Sequence, residues 1–266
     1  ARSTALPVLR CSTLPSGNKQ LPSADSKASE ANDTNCQQSG QETEAKVSVA
    51  AAVGFNVITV GNTTSVAAGR SIVAGGPLVL RATSLTNLTT KALGTALNSQ
   101  ATASIGAAVG MNVAVISNKA QIGAGASITA AGGITVEAMT PATKTNSFTV
   151  WGISAGGGKD YGVAGSVGIN IIHNTTEASI GSGTSVTSTA GGLTVNAVDI
   201  TGAEIVAGGA GTREKAGVGL GIAVNEVGHT TEAFLASNVH VAVAEKTSIA
   251  ASAETNPLDL DAVPTA

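Results

Sequence analysis

The sequence predicts an all-β fold, a right-handed parallel β-solenoid (β-helix) of about four degenerate repeats of 55–59 residues. Three observations lead there. Asn56, Asn112, Asn170 and Asn225 each close an apolar stretch, at intervals of 56, 58 and 55 residues. The pairs Gly75-Gly76, Gly132-Gly133 and Gly191-Gly192 keep the same beat, 57 and 59 residues apart. Within each unit, larger apolar residues alternate with small or polar ones at period two, the pattern of a strand with two unlike faces. Self-similarity at a fixed period means stacked units rather than one globular core. Asn62-Thr63-Thr64, Asn174-Thr175-Thr176-Glu177 and His229-Thr230-Thr231-Glu232 read as a further repeating marker.

The elements follow in order. Residues 1–43 share nothing with the repeats. They are rich in Ser, Pro, Asn, Gln and charge, and read as a flexible polar segment. Cys11 and Cys36, the only cysteines, lie in it, and a disulfide between them would close a loop in an oxidising compartment. No His stands near either cysteine, which argues against a metal site there.

Residues 44–254 carry the repeats. Long strands are expected where Val47, Val49, Ala51, Val53, Phe55 and Val57 alternate, and where Ala103, Ile105, Ala107, Val109, Met111 and Val113 do the same. The third and fourth copies run Val163, Gly165, Val167, Ile169, Ile171 and Val218, Leu220, Ile222, Val224. Shorter strands follow, with Leu78, Leu80 and Ala82 matching Ile134, Val136 and Ala138, then Leu193, Val195 and Ala197. Thr247, Ile249 and Ala251 form a worn fourth copy. The Gly-Gly pairs are expected to supply tight bends at positive φ.

The core is expected to be narrow stacked layers of Val, Ile, Leu and Ala, with two or three coils in each repeat. Residues 141–161 and 208–215 break the rhythm, and read as loops leaving the solenoid or as long strands joined by a Gly-rich turn. Residues 255–266 read as a C-terminal tail. Frequent Gly and β-branched residues disfavour helix.

Composition excludes several function classes. Aromatic residues are 2% and charged residues 12% of the chain, against about 25% charged in typical domains. Net charge is −3 and no Lys/Arg cluster is present, so nucleic acid is not an expected partner. No apolar run approaches the length of a membrane-spanning helix. The chain lacks an initial Met and a signal peptide, and reads as a piece of a longer protein. No cofactor is implied: the Gly-rich stretches are not followed by a GK[ST] phosphate-loop ending, and neither GGxGxD nor GxSxG occurs.

The segments Asn174-Thr175-Thr176-Glu177-Ala178-Ser179-Ile180-Gly181 and Gly191-Gly192-Leu193-Thr194-Val195-Asn196-Ala197 resemble repeats of very large bacterial surface adhesins. These are the filamentous-haemagglutinin-like exoproteins, including the leukotoxin-family filamentous adhesins. The resemblance covers residues 44–251. It implies a secreted or cell-surface bacterial protein whose solenoid projects a binding element. Glycans or host and cell-surface molecules would be its partners, together with neighbouring repeats of a longer parent chain. It supplies no catalytic residues.

The expected function is therefore a structural, adhesive stalk. Two alternatives rest on particular side chains. A carbohydrate-active β-helix, hydrolase or lyase, would draw its acids from Asp160, Glu177, Glu226 and Glu232. Glycosidase carboxylates stand about 5–9.5 Å apart. With two or three coils per repeat, Glu177 and Glu232 would be separated by about 10–14 Å, too far for that chemistry. A glycan-binding module would use Trp151 and Tyr161, the only Trp and Tyr, with Phe148 beside them. His173, His229 and His240 form no HxH or HExxH spacing and read as polar turn residues. A flat Thr row for ice binding is broken, because Thr135 and Thr194 align with Val79 and Ser248.

Overall fold

The computed structural model describes residues 10–12, 32–39, 47–255 and 259–265, with side chains described for 47–255. All regular structure among them is β, and they include no helix long and apolar enough to cross a membrane. The strands are β1 (Arg10–Ser12), β2 (Asn32–Ser39), β3 (Val47–Val66), β4 (Ser71–Ala74), β5 (Leu78–Thr83), β6 (Asn87–Leu97), β7 (Ala103–Ile122) and β8 (Ser127–Ala130). They continue as β9 (Ile134–Met139), β10 (Asn146–Gly157), β11 (Tyr161–Ile180), β12 (Ser185–Ser188), β13 (Leu193–Gly211), β14 (Ala216–Leu235), β15 (His240–Val243), β16 (Thr247–Thr255) and β17 (Asp259–Thr265).

These strands form a parallel β-solenoid with three stacked sheets. The first holds β3, β7, β11 and β14 in that order, with β1 antiparallel on its outer edge. The second holds β2, β6, β10, β13, β9 and β5, and β16 and β17 add to β13. The third stacks β4, β8, β12 and β15. Each coil runs along the first sheet, crosses the short third strand and returns along the second sheet. The segment read as flexible thus contributes β1 and β2, and the expected tail contributes β17.

The register corrects the coil count. Asn56 pairs with Asn112, Asn112 with Asn170 and Asn170 with Asn225 on adjacent strands. One sequence repeat is one coil, not two or three. The 20-residue strands β3, β7, β11 and β14 absorb the length that shorter coils would have divided. Residues 141–161 do not leave the solenoid either: β10 and β11 are long strands joined by a short turn. Asn62 stacks on Asn118 and so on Thr176, two positions from the Asn174–His229 column. The first copy of the Asn-Thr-Thr marker is therefore out of register.

The alternation also points the other way from the expected core. On β7 and β11 the buried positions are Ser104, Gly106, Ala108, Gly110 and Asn112, then Gly162, Ala164, Ser166, Gly168 and Asn170. Val109, Met111, Val167 and Ile169 face outward. The reason is sheet spacing. Where the chain turns from the second sheet back to the first, the two backbones nearly touch. A Cβ added at Gly94 would fall on the Ala107 carbonyl, and one at Gly156 on the Val163 carbonyl. Branched side chains have no room between the sheets there.

The coil widens toward the third sheet. Ile122, Ile128, Ile134, Ile180, Val186, Leu193 and Val195 fill that end, all fully buried. A second layer holds Ile58, Ile116, Phe148 and Ile172. On the short strands β5 and β9, and at the start of β13, the larger apolar residues do point inward, as the sequence predicts; β13 itself runs on for 19 residues where a short strand was expected.

The left-handed turns are not those expected at the Gly-Gly pairs, of which only Gly191 has positive φ. Four left-handed residues form a column at the corner between the first and third sheets: Gly69 (φ 66°), Gly125 (66°), Gly183 (67°) and Asn238 (58°); Thr143 (63°) lies apart, in the turn before β10.

Candidate functional site

The most connected polar group is inside the solenoid, at a residue the sequence reading passed over. Asp199 on β13 is 1% exposed. Its Oδ1 accepts hydrogen bonds from Asn146 Nδ2 (3.3 Å), Thr201 Oγ1 (3.3 Å), Asn174 Nδ2 (3.5 Å) and Thr140 Oγ1 (3.5 Å). Its Oδ2 lies 2.5 Å from His229 Nδ1. His229 Nε2 lies 3.1 Å from Thr255 Oγ1 on β16. Burying a carboxylate is tolerable only when it is paired and hydrogen-bonded, and here donors from three successive coils converge on it. Both ring nitrogens of His229 are thus engaged, Nδ1 by Asp199 and Nε2 by the Thr255 hydroxyl. The chemical outcome is a clamp that ties the last coil to the third. Only a register that places His229 over Asn174, opposite Asp199, could have revealed it from sequence.

A second polar feature is the asparagine column. Asn56 Nδ2 donates to Asn112 Oδ1 (3.3 Å), Asn112 Nδ2 to Asn170 Oδ1 (3.0 Å), and Asn170 Nδ2 to Asn225 Oδ1 (2.8 Å). The other amide hydrogens cross to the second sheet: Asn56 and Asn112 reach the Thr89 and Thr149 carbonyls, each at 3.0 Å. Asn170 reaches the Glu204 carbonyl at 3.2 Å. The ladder therefore bonds coil to coil and sheet to sheet at once.

The predicted site residues scatter. Phe148 is 0% exposed inside the core and cannot face a ligand, which removes it from the aromatic set. Trp151 is 40% exposed on the outer face of the second sheet, beside Lys91 and Val206 in register. Tyr161 is 45% exposed on the outer face of the first sheet, the opposite side of the coil. The two rings do not converge.

Among the acids, Asp160 sits in the turn before β11, its Oδ2 2.9 Å from Lys215 Nζ. The hydrogen bond and charge of Asp160 hold the Lys215 amine above its ordinary range. Glu226 is exposed on β14, 3.8 Å from His173 Nε2. Glu177 and Glu232 are register partners on β11 and β14. One-coil repeats therefore set their backbones about 4.8 Å apart, which removes the distance objection.

Glu177 is nevertheless engaged. Lys119 Nζ donates to its Oε2 at 2.9 Å and Ser179 Oγ to its Oε1 at 2.8 Å. Burial pushes its carboxyl up, but those bonds and the Lys119 charge outweigh it and hold it below the usual range. A general acid needs the opposite shift. Asp160 lies at the other end of β11, roughly 55 Å away along the strand.

Cys11 and Cys36 fall on β1 and β2, in different sheets. Their pairing lies outside the described side chains. No protein-family model matches this sequence, and neither a curated protein nor a solved structure matches it significantly.

Proposed function

We propose that this chain is a structural spacer, an adhesive stalk segment of a secreted bacterial surface protein, without catalysis of its own. The supporting observation is that its polar side chains join coil to coil instead of converging on a surface cleft. Asparagines stack along the axis, Asp199 is enclosed by donors from its neighbours, and outward charges meet as pairs between adjacent coils: Arg81 with Glu137 and Lys119 with Glu177 on neighbouring strands, and Asp160 with Lys215 in neighbouring turns. The secreted, bacterial setting and the glycan or cell-surface partners rest on the resemblance of the repeats to filamentous adhesins. The carbohydrate-enzyme alternative gains register proximity of Glu177 and Glu232, but the Glu177 carboxyl is held low rather than raised. The glycan-binding alternative keeps Trp151 and Tyr161, but on opposite sides of the coil.

Incubation with a panel of polysaccharides, scored for reducing ends and unsaturated products, tests the reading. The expected outcome is no product. Product that disappears in Glu177→Gln or Asp160→Asn overturns it and makes the chain a carbohydrate-active β-helix.

A further inference from the structure

The outward face of the first sheet carries more apolar surface than a solvated sheet needs. On β3, β7 and β11 the outward positions through Val57, Val113 and Ile171 are all apolar or small, apart from the ring hydroxyl of Tyr161, and on β14 the same holds through Val224. No charged side chain interrupts them until Glu226. Several are well exposed, including Val53 (42%), Val163 (41%), Leu220 (55%), Ile222 (45%) and Val224 (47%). Antiparallel sheets with one face in water usually alternate apolar-in with polar-out, and parallel sheets are usually covered on both faces. Here the alternation is reversed, because glycine and alanine are needed between the sheets.

The size of this face is set by the fold. Four strands, each contributing about eleven residues, cover roughly 700 Å² at ordinary strand spacing and rise. Contiguous apolar patches on monomers rarely exceed a few hundred Å². A standard specific interface buries about 800 Å² on each partner. The patch therefore has the area a stable dimer needs.

We propose that this face packs against the same face of a second copy of the chain, two first sheets stacked as in a β-sandwich. Three features favour a second copy. The face is uncharged, so two copies meet without repulsion, while a charged partner finds nothing to pair with. It is built of parallel strands paired in unbroken register, the kind of surface another such sheet interdigitates with. A twofold contact between identical patches also closes at two copies. The edges of β14, β15 and β16, which pair with no further strand among the described residues, offer a different, head-to-tail contact that does not close. The proposal goes beyond the stalk reading and does not depend on it.

Sedimentation velocity of the full chain, extended by fluorescence detection from about 1 nM to 100 µM, reaches well into the micromolar-to-picomolar affinities that interfaces of this size show. The expected result is a closed dimer. Ile169→Lys, at the centre of the face on β11, and Ile222→Lys, on β14, each weaken it roughly 100-fold or more, since dimerisation would bury an unpaired charge. Thr175→Lys puts the same charge on β11 outside the patch and leaves the dimer intact. Circular dichroism of each variant checks the fold, and the wild-type series stands by itself if one variant fails to fold. A monomer throughout overturns the proposal. So does an open-ended series of oligomers untouched by Ile169→Lys and Ile222→Lys, which assigns association to the strand edges. A monomer that instead binds phosphatidylcholine vesicles also overturns it and gives the face to lipid.

Discussion

Asn112 shows what a single buried side chain does in this fold. Its amide touches the coil before, the coil after and the opposite sheet, and its side chain is fully buried. Asn112→Ala leaves the Asn56 amide, the Asn170 carbonyl oxygen and the Thr149 carbonyl short of partners, at a cost of about 2–3 kcal/mol. Urea unfolding should show that loss, and a smaller one for Asn56→Ala, whose column has a neighbour on one side. Glu177 makes a pH prediction with a definite sign. Its folded carboxyl titrates below the ordinary value of 4.5. The Lys119 pair therefore adds stability above the unfolded value, and that stability is lost as pH falls through the folded one. Glu177→Gln should cost about 0.5–1 kcal/mol near neutral pH, the scale of a partly exposed pair. From about pH 5 down to pH 3 the variant should lose less stability than wild type, which thermal melts across that range would measure.

At the scale of elements, the corner column isolates backbone conformation from packing. Gly125 has φ 66° and open space around its would-be Cβ, so nothing but the left-handed region demands glycine there. Gly125→Ala should cost about 1–2 kcal/mol for that conformation alone. Gly125→Asn should cost less, because the fourth coil already places Asn238 in the same role. Melting temperatures of the two variants decide the point. The strands themselves were legible in part: the long copies fall where the period-two pattern puts them, and β5, β9 and the start of β13 point their Leu, Ile and Val inward, but β13 runs on for 19 residues and Ile249 of the fourth copy is exposed. Which face of the long strands is inside was not legible. Hydrophobicity ranks Val109 and Ile169 above Gly110 and Asn170, but the distance between sheets decides, and one sequence carries no signal of that distance. The Gly-Gly pairs misled for a related reason. Gly132 is held to glycine by closeness to Pro77 of the coil below, where a Cβ would sit 2.8 Å from its nitrogen, rather than by a positive φ.

For the whole molecule, stacking makes stability nearly a sum of neighbour terms. The fourth coil has a described strand neighbour on one side only, and every residue of β16 is exposed. Hydrogen exchange should find β14, β15 and β16 the least protected, with β7 and β11 the most. Uniform protection would mean that the coils unfold as one unit. The period of the repeat was readable because in-register stacking puts like residue on like, so Asn56 through Asn225 announce the coil. The Asp199 cluster was not readable because it joins Thr140, Asn146, Asn174, Thr201 and His229 from different coils, with no local spacing in common.

The one-coil repeat has a mechanical consequence. Each coil spends its residues on breadth: strands of 20 residues make a section about 66 Å broad, while facing sheets sit no more than about 10 Å apart over much of it and closer where glycines line them. Such a section is a plank. Its resistance to flexure depends on direction as the square of that ratio, roughly 40-fold in favour of the broad dimension. A column of these coils is a ribbon, stiff edgewise and compliant across its faces, and gluing two ribbons flat to flat would stiffen the one direction in which each alone is weak.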